Sequence, residues 1–182
     1  YPGLLVTPDH KAIILERIDR EPYATMWAAV LDEASEEFSE REEGSDWNER
    51  VARNNAAIAQ SAAFIAWLQD DEAMAQRAIE ALKRLDTDWE TNDEWGINLG
   101  MPQVLMTSAA AWDLLKGTPY FSDEDAAETS ERIMTVTRKF YERYILDPFH
   151  QEAALGVAQN NHPIRTATAM GYAALAFEDH ED

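Results

Sequence analysis

The sequence predicts an all-α protein built from antiparallel helical hairpins in two layers. Three observations lead there. Apolar residues recur at spacings of three and four in segment after segment. No run alternates apolar and polar residues as a half-buried strand would. And segments with one apolar stripe alternate with segments that are apolar or small almost all round, the pattern of an outer layer wetted on one face and an inner layer covered on most sides.

Taken in order, Thr7-Pro8-Asp9 carries a capping hydroxyl, a proline at the first helical position and an acid in the first turn, which predicts a short helix to about Ile18. Glu21-Pro22 opens a second, with Tyr23, Trp27, Val30, Leu31, Ala34 and Phe38 on one face and Glu33, Glu36 and Glu37 on the other. The third, over 49–68, is apolar or small almost all round from Ala56 onward. The fourth, over 72–85, returns to one stripe through Met74, Ala78, Ala81, Leu82 and Leu85. The fifth, over 102–115, is again apolar on all sides and stops at Gly117. Ser122-Asp123-Glu124-Asp125 caps a sixth, striped by Ile133, Val136, Phe140 and Tyr144. Pro163 starts a seventh whose Ile164, Ala167, Ala169, Met170, Tyr172, Ala173 and Leu175 leave little polar face. Stacked helical-hairpin solenoids and α/α toroids both have such pairs. The absence of a fixed sequence period argues against a regular solenoid.

Connections from the inner to the outer layer are short, at 69–71 and 117–121. Those from outer to inner are long, at 39–48, 86–100 and 145–162, which gathers the long loops at one end of the array. Long loops in compact domains are usually either functional or disordered. These hold Trp47, Trp89 and Trp95 together with Asn48, Asn92, Asn98, Gln159, Asn160, Asn161 and His162. Aromatic faces beside amides suit sugar rings, the former covering C–H surfaces and the latter binding hydroxyls. Tryptophans that plug the end of the helix array are the structural alternative. Arg50, Arg53, Asn54 and Asn55 open the third helix at the same end, either as substrate ligands or as a solvated helix terminus.

Composition narrows the partners. Over 182 residues, thirty-five acids face fifteen lysines and arginines, a net charge of −20. Nucleic acid and anionic membrane surfaces reward clustered cations, so neither is expected as a partner. No apolar run reaches membrane-spanning length, so no membrane insertion is expected. There is no cysteine, which excludes disulfides, thiolate metal sites and cysteine nucleophiles. Histidine pairs at metal-ligand spacing are also missing, and no metal or cofactor is expected.

Several segments resemble the helical domain of heparinase II/III-like and alginate-lyase-like polysaccharide lyases. They are Tyr1-Pro2-Gly3-Leu4-Leu5-Val6-Thr7-Pro8-Asp9, Ala63-Phe64-Ile65-Ala66-Trp67-Leu68-Gln69-Asp70-Asp71-Glu72-Ala73, Ala78-Ile79-Glu80-Ala81-Leu82, Ala111-Trp112-Asp113-Leu114-Leu115 with Phe121-Ser122-Asp123-Glu124-Asp125, and Asn160-Asn161-His162 before a small-residue helix. The resemblance implies a partial (α/α) toroid, an incomplete ring whose remaining helices, β-sandwich domain and catalytic tyrosine lie beyond Asp182. It further implies a periplasmic or secreted enzyme acting on a uronate-containing polysaccharide or oligosaccharide by β-elimination, with residues 1–182 inactive alone. Many relatives carry glycine after the histidine, where this chain has Pro163.

By that resemblance Asn161 and His162 are the catalytic pair; Asn160, Gln159 and Arg165 beside them, and Trp47, Trp89 and Trp95 of the long loops, are the candidate substrate contacts, with an ordinary helix start as the structural alternative for the motif. The residue types suit the chemistry. An asparagine amide binds a carboxylate without titrating, and a neutral histidine accepts a proton or polarises through its N–H. A helix start beside them favours a bound anion. Two rival functions remain. A toroid glycoside hydrolase would use an acid pair among Asp46, Asp86, Asp88 and Asp93, and a non-catalytic helical module would only bind carbohydrate or act as a scaffold.

Overall fold

The computed structural model describes residues 3–42, 49–87, 94–142 and 161–178. Among them are seven α-helices and no strand: α1 (Pro8–Arg17), α2 (Tyr23–Ser35), α3 (Glu49–Gln69), α4 (Glu72–Lys83), α5 (Glu94–Leu115), α6 (Asp123–Tyr141) and α7 (Asn161–Ala176). The all-α class follows directly. None of these helices is long and apolar enough to cross a membrane.

Local chemistry sets the ends. Thr7 N–H donates to His10 Nδ1 at 3.0 Å across the first turn of α1, with Pro8 at its first position. Asp71 caps α4 by accepting from Met74 N–H at 3.0 Å, and Ser122 Oγ caps α6 by accepting from Asp125 N–H at 3.1 Å. Between α3 and α4 the turn is made by Asp70, whose φ of 56° lies in the left-handed region. Aspartate tolerates that region better than most side chains. Its carboxylate binds Lys11 Nζ at 2.8 Å and its carbonyl accepts from Tyr120 Oη at 3.1 Å, so three segments meet at the turn.

Helices α3 and α5 form the centre. Ala56, Ala59, Ala62, Ala63 and Ala66 on α3, and Ala109, Ala110 and Ala111 on α5, are buried among Ile58, Ile65, Leu68, Val104, Leu105 and Leu115. Small side chains at these positions let helix backbones approach closely, and each fully buried leucine or isoleucine contributes about 1.5–3 kcal/mol. Helix α3 packs between α2 and α5, and α5 between α3 and α7, with α4 and α6 laid outside them. Helices α3, α5 and α7 run parallel. Near their C-termini Trp112 on α5 meets Phe177 after α7, with ring centroids 4.6 Å apart. In the N-terminal part of α7, Arg165 meets Gln103, midway along α5, at 3.5 Å. After α4 the chain runs along α6, where Leu85 O accepts from Arg132 at 3.4 Å and Thr87 O from Lys139 at 2.6 Å.

Four expectations are corrected. Helix α5 begins at Glu94 rather than Pro102, which puts Trp95 and Asn98 on the helix instead of in a loop. A proline inside a helix forfeits one N–H bond but does not stop it when the flanking turns are held by packing, and Pro102 is buried. Helix α7 begins at Asn161, so Asn161 and His162 are first-turn residues and not the loop before it. Its outer side is open, with Ile164 and Leu175 exposed at 66% and 68%. On α2, Tyr23 and Leu31 are exposed, because contact with the core runs through Trp27, Val30 and Ala34.

Candidate functional site

A cleft of about 780 Å³ lies between the N-terminal half of α3 and the middle of α5, with Glu33 of α2 beside it. Arg50, Arg53, Asn54, Ala57 and Gln60 of α3 line it, spaced at three, four, seven and ten residues along one helical face. Opposite them stand Gln103, Val104 and Thr107 of α5. Glu33 of α2 also lines it and accepts a hydrogen bond from the Ser61 hydroxyl. Arg50 and Arg53 are solvent-exposed, whereas Ala56 and Val104 behind them belong to the core. Polar and cationic tips therefore project from an apolar floor.

Gln103 ties this cleft to α7. Its Nε2 donates to Thr107 Oγ1 at 3.0 Å, which leaves Oε1 to accept from Arg165 Nη2 at 3.5 Å. The half-buried guanidinium of Arg165 thus reaches α5 one turn below Asn161 and His162. One end of the array collects the first turns of α7 and the arginine face of α3.

Of the residues singled out in the sequence, Arg165 is placed at this cleft's edge. Asn161, His162 and Trp95 have their backbones in the first turns of α7 and α5, with side chains outside the described residues. Trp47, Trp89, Gln159 and Asn160 also lie outside the described residues. The asparagines at the start of α3 divide. Asn54 lines the cleft and donates to Ser39 Oγ at 2.9 Å, while Asn55 is buried and serves structure. Asp86, one of the acids a hydrolase could use, is ion-paired with Arg41 at 3.1 Å; Asp46, Asp88 and Asp93 lie outside the described residues.

Sequence reasoning missed Gln103, Thr107 and Gln60. Their signal was present as Gln103 and Thr107 at i and i+4, a polar pair interrupting an otherwise apolar helix. The chain matches no protein-family model and no curated protein.

Proposed function

We propose that this chain belongs to a polysaccharide lyase with an (α/α)-toroid domain, cleaving a uronate-containing polymer by β-elimination. The observation that supports it most is the cleft. In a chain of net charge −20, the described residues that line it include Arg50, Arg53, Asn54, Gln60, Gln103 and Thr107 beside Glu33, residue types that suit a polyanionic sugar. The quoted resemblance supplies the reaction.

In that reaction Asn161 hydrogen-bonds the uronate carboxylate and stabilises the charge that spreads onto it in the enolate. His162 takes the proton α to it or stabilises the enolate that forms. The electron pair of the broken C–H bond becomes the new ring double bond, the glycosidic C–O bond breaks, and a general acid protonates the departing oxygen. The first turn of α7 adds its free N–H groups and positive dipole end to the same anion. As a partner of an extracellular polymer the enzyme would be periplasmic or secreted.

The test is ultraviolet absorbance of unsaturated uronate products. The full-length gene product is incubated with alginate, pectate and heparan-type polymers. Absorbance growth on at least one polymer is the expected result, and none on any of them overturns the reading.

A further inference from the structure

Residues 36–42 leave α2 and lie against the end of α4 and the first turns of α3. We propose that they form a strap, clipped to α4 by charge and released by salt, whose opening frees the Asn54 side-chain amide in the cleft wall. This device is independent of the reaction proposed above.

Apolar burial holds this segment only lightly. Residues 36–42 are exposed or half-buried throughout, and the apolar anchor is Phe38, its ring held against the guanidinium groups of Arg77 and Arg84 at 4.5 and 4.6 Å. Charge supplies the clips. Arg77 donates to the carbonyls of Ala34 and Glu36, Arg84 pairs with Glu40 at 3.0 Å, and Arg41 of the strap pairs with Asp86 at 3.1 Å. The far side of these clips is anchored. Leu85 is buried, its carbonyl accepts from Arg132 at 3.4 Å, and the Thr87 carbonyl accepts from Lys139 at 2.6 Å, which ties the residues after α4 to α6. The strap is therefore the side that moves when a clip lets go, a local opening that leaves the helices behind it intact.

On its other side the strap meets the start of α3. Asn55 holds both backbone groups of Ser39, and Asn54 Nδ2 donates to Ser39 Oγ at 2.9 Å and to Glu37 O at 3.3 Å. Asn54 lines the cleft, so with the strap closed its donors are taken, and opening returns them to the cleft. Salt is the natural trigger. The Glu40 side chain is 77% exposed and that of Arg41 30%, and ion pairs at such exposure are individually weak. The range of charge attraction shrinks from about 10 Å at 0.1 M salt to about 3 Å at 1 M. A strap held by apolar burial would not loosen with salt.

Amide hydrogen exchange of the intact protein, read by NMR across a sodium chloride series, tests the strap. Raising the salt from about 0.05 to about 1 M should speed exchange at the Ser39 amide about fivefold. Ala62, buried in the middle of α3, should exchange at an unchanged rate, and the Asn54 Nδ2 resonances should shift in step with Ser39. The Glu40→Gln/Arg41→Gln variant removes two clips from the strap side. Its Ser39 amide should exchange fast at low salt and hardly respond to more, with a melting temperature near wild type. Phe38→Ala should also speed exchange yet keep the salt response, because its ion pairs remain. Exchange at Ser39 that is indifferent to salt in the wild type would overturn the proposal, and that series decides the matter even where a variant folds poorly. So would acceleration at Ala62 equal to that at Ser39, which marks general unfolding. Asn54 resonances that stay fixed while Ser39 opens, or a full salt response in the double variant, would overturn it as well.

Discussion

Asn55 and Ser39 are joined by a reciprocal pair of hydrogen bonds: the Asn55 side chain accepts from Ser39 N–H at 2.9 Å and donates to Ser39 O at 2.8 Å. A buried amide thereby satisfies both backbone groups of a residue sixteen positions away and pins the segment after α2 against α3. Phe38, next to it, lies under the guanidinium groups of Arg77 and Arg84 at 4.5 and 4.6 Å. Asn55→Ala leaves both Ser39 groups without that partner and should cost about 2 kcal/mol, a melting shift of roughly 4–8 °C for a chain of this size. Calorimetry decides it. A shift under one degree would mean the clamp contributes nothing.

Asp113 performs a similar task for the N-terminal segment. One carboxylate oxygen accepts from Gly3 N–H at 2.8 Å and Leu4 N–H at 2.9 Å. Asp113→Ala should release residues 3–6 from α5 and speed amide hydrogen exchange at Gly3 and Leu4, with the centres of α3 and α5 still protected. Uniform acceleration across the chain would contradict a local role.

The Lys83 ammonium meets Asp125 at 2.8 Å and Glu128 at 2.9 Å. Its hydrogen bond, followed by that from the Ser122 hydroxyl, holds the Asp125 carboxyl below its ordinary value. A carboxyl depressed in the folded state stabilises fully above its unfolded value, about 3.9, and that stabilisation is lost as pH falls through the folded value. The pair is partly exposed, so its contribution is at most about 1 kcal/mol. Wild type should therefore melt a few degrees above Asp125→Asn at pH 7, with the gap narrowing only below about pH 4. A gap that is the same at neutral and strongly acid pH would rule out the ionised pair as its source.

Gly171 sits within α7 with nothing within 4 Å of where a Cβ would stand. Alanine there should stabilise by about 0.5–1 kcal/mol through helix propensity alone. A lower melting temperature for Gly171→Ala would show that something does pack on this face.

The helices and their caps were legible because periodicity and capping are local properties. Thr7-Pro8 and Ser122 act over one turn, and the signal is complete within that turn. Pro102 misled because proline both starts helices and sits inside them, and only the packing around it distinguishes the cases. The open side of α7 was not legible either, since apolar composition shows a preference for burial and not the presence of a neighbour. Asn54 and Asn55 are the same residue one position apart, and a helical step of about 100° leaves Asn54 in the cleft lining, bound to the Ser39 hydroxyl, and buries Asn55 against the Ser39 backbone. Gln103 and Arg165 are sixty-two residues apart, so their meeting is a product of tertiary packing that no local pattern announces.

The start of α7 yields the sharpest prediction about catalysis. Asn161 and His162 are first-turn residues, where a side chain typically contributes only about 1 kcal/mol to stability. If they bind the carboxylate and handle the proton, their loss should be felt almost wholly in turnover. Asn161→Ala and His162→Ala in the full-length gene product should each lower product formation roughly a hundredfold or more, the scale for a lost general base or oxyanion donor. Asn161→Asp separates catalysis from folding. An acid in the first turn favours the helix dipole and should hold or raise the melting temperature, while its charge repels the substrate carboxylate and should abolish turnover as completely as alanine. Activity and stability would then move in opposite directions at one atom-for-atom replacement. Product formation by His162→Ala at the wild-type rate, on the polymer that wild type cleaves, would reduce the motif to a helix start.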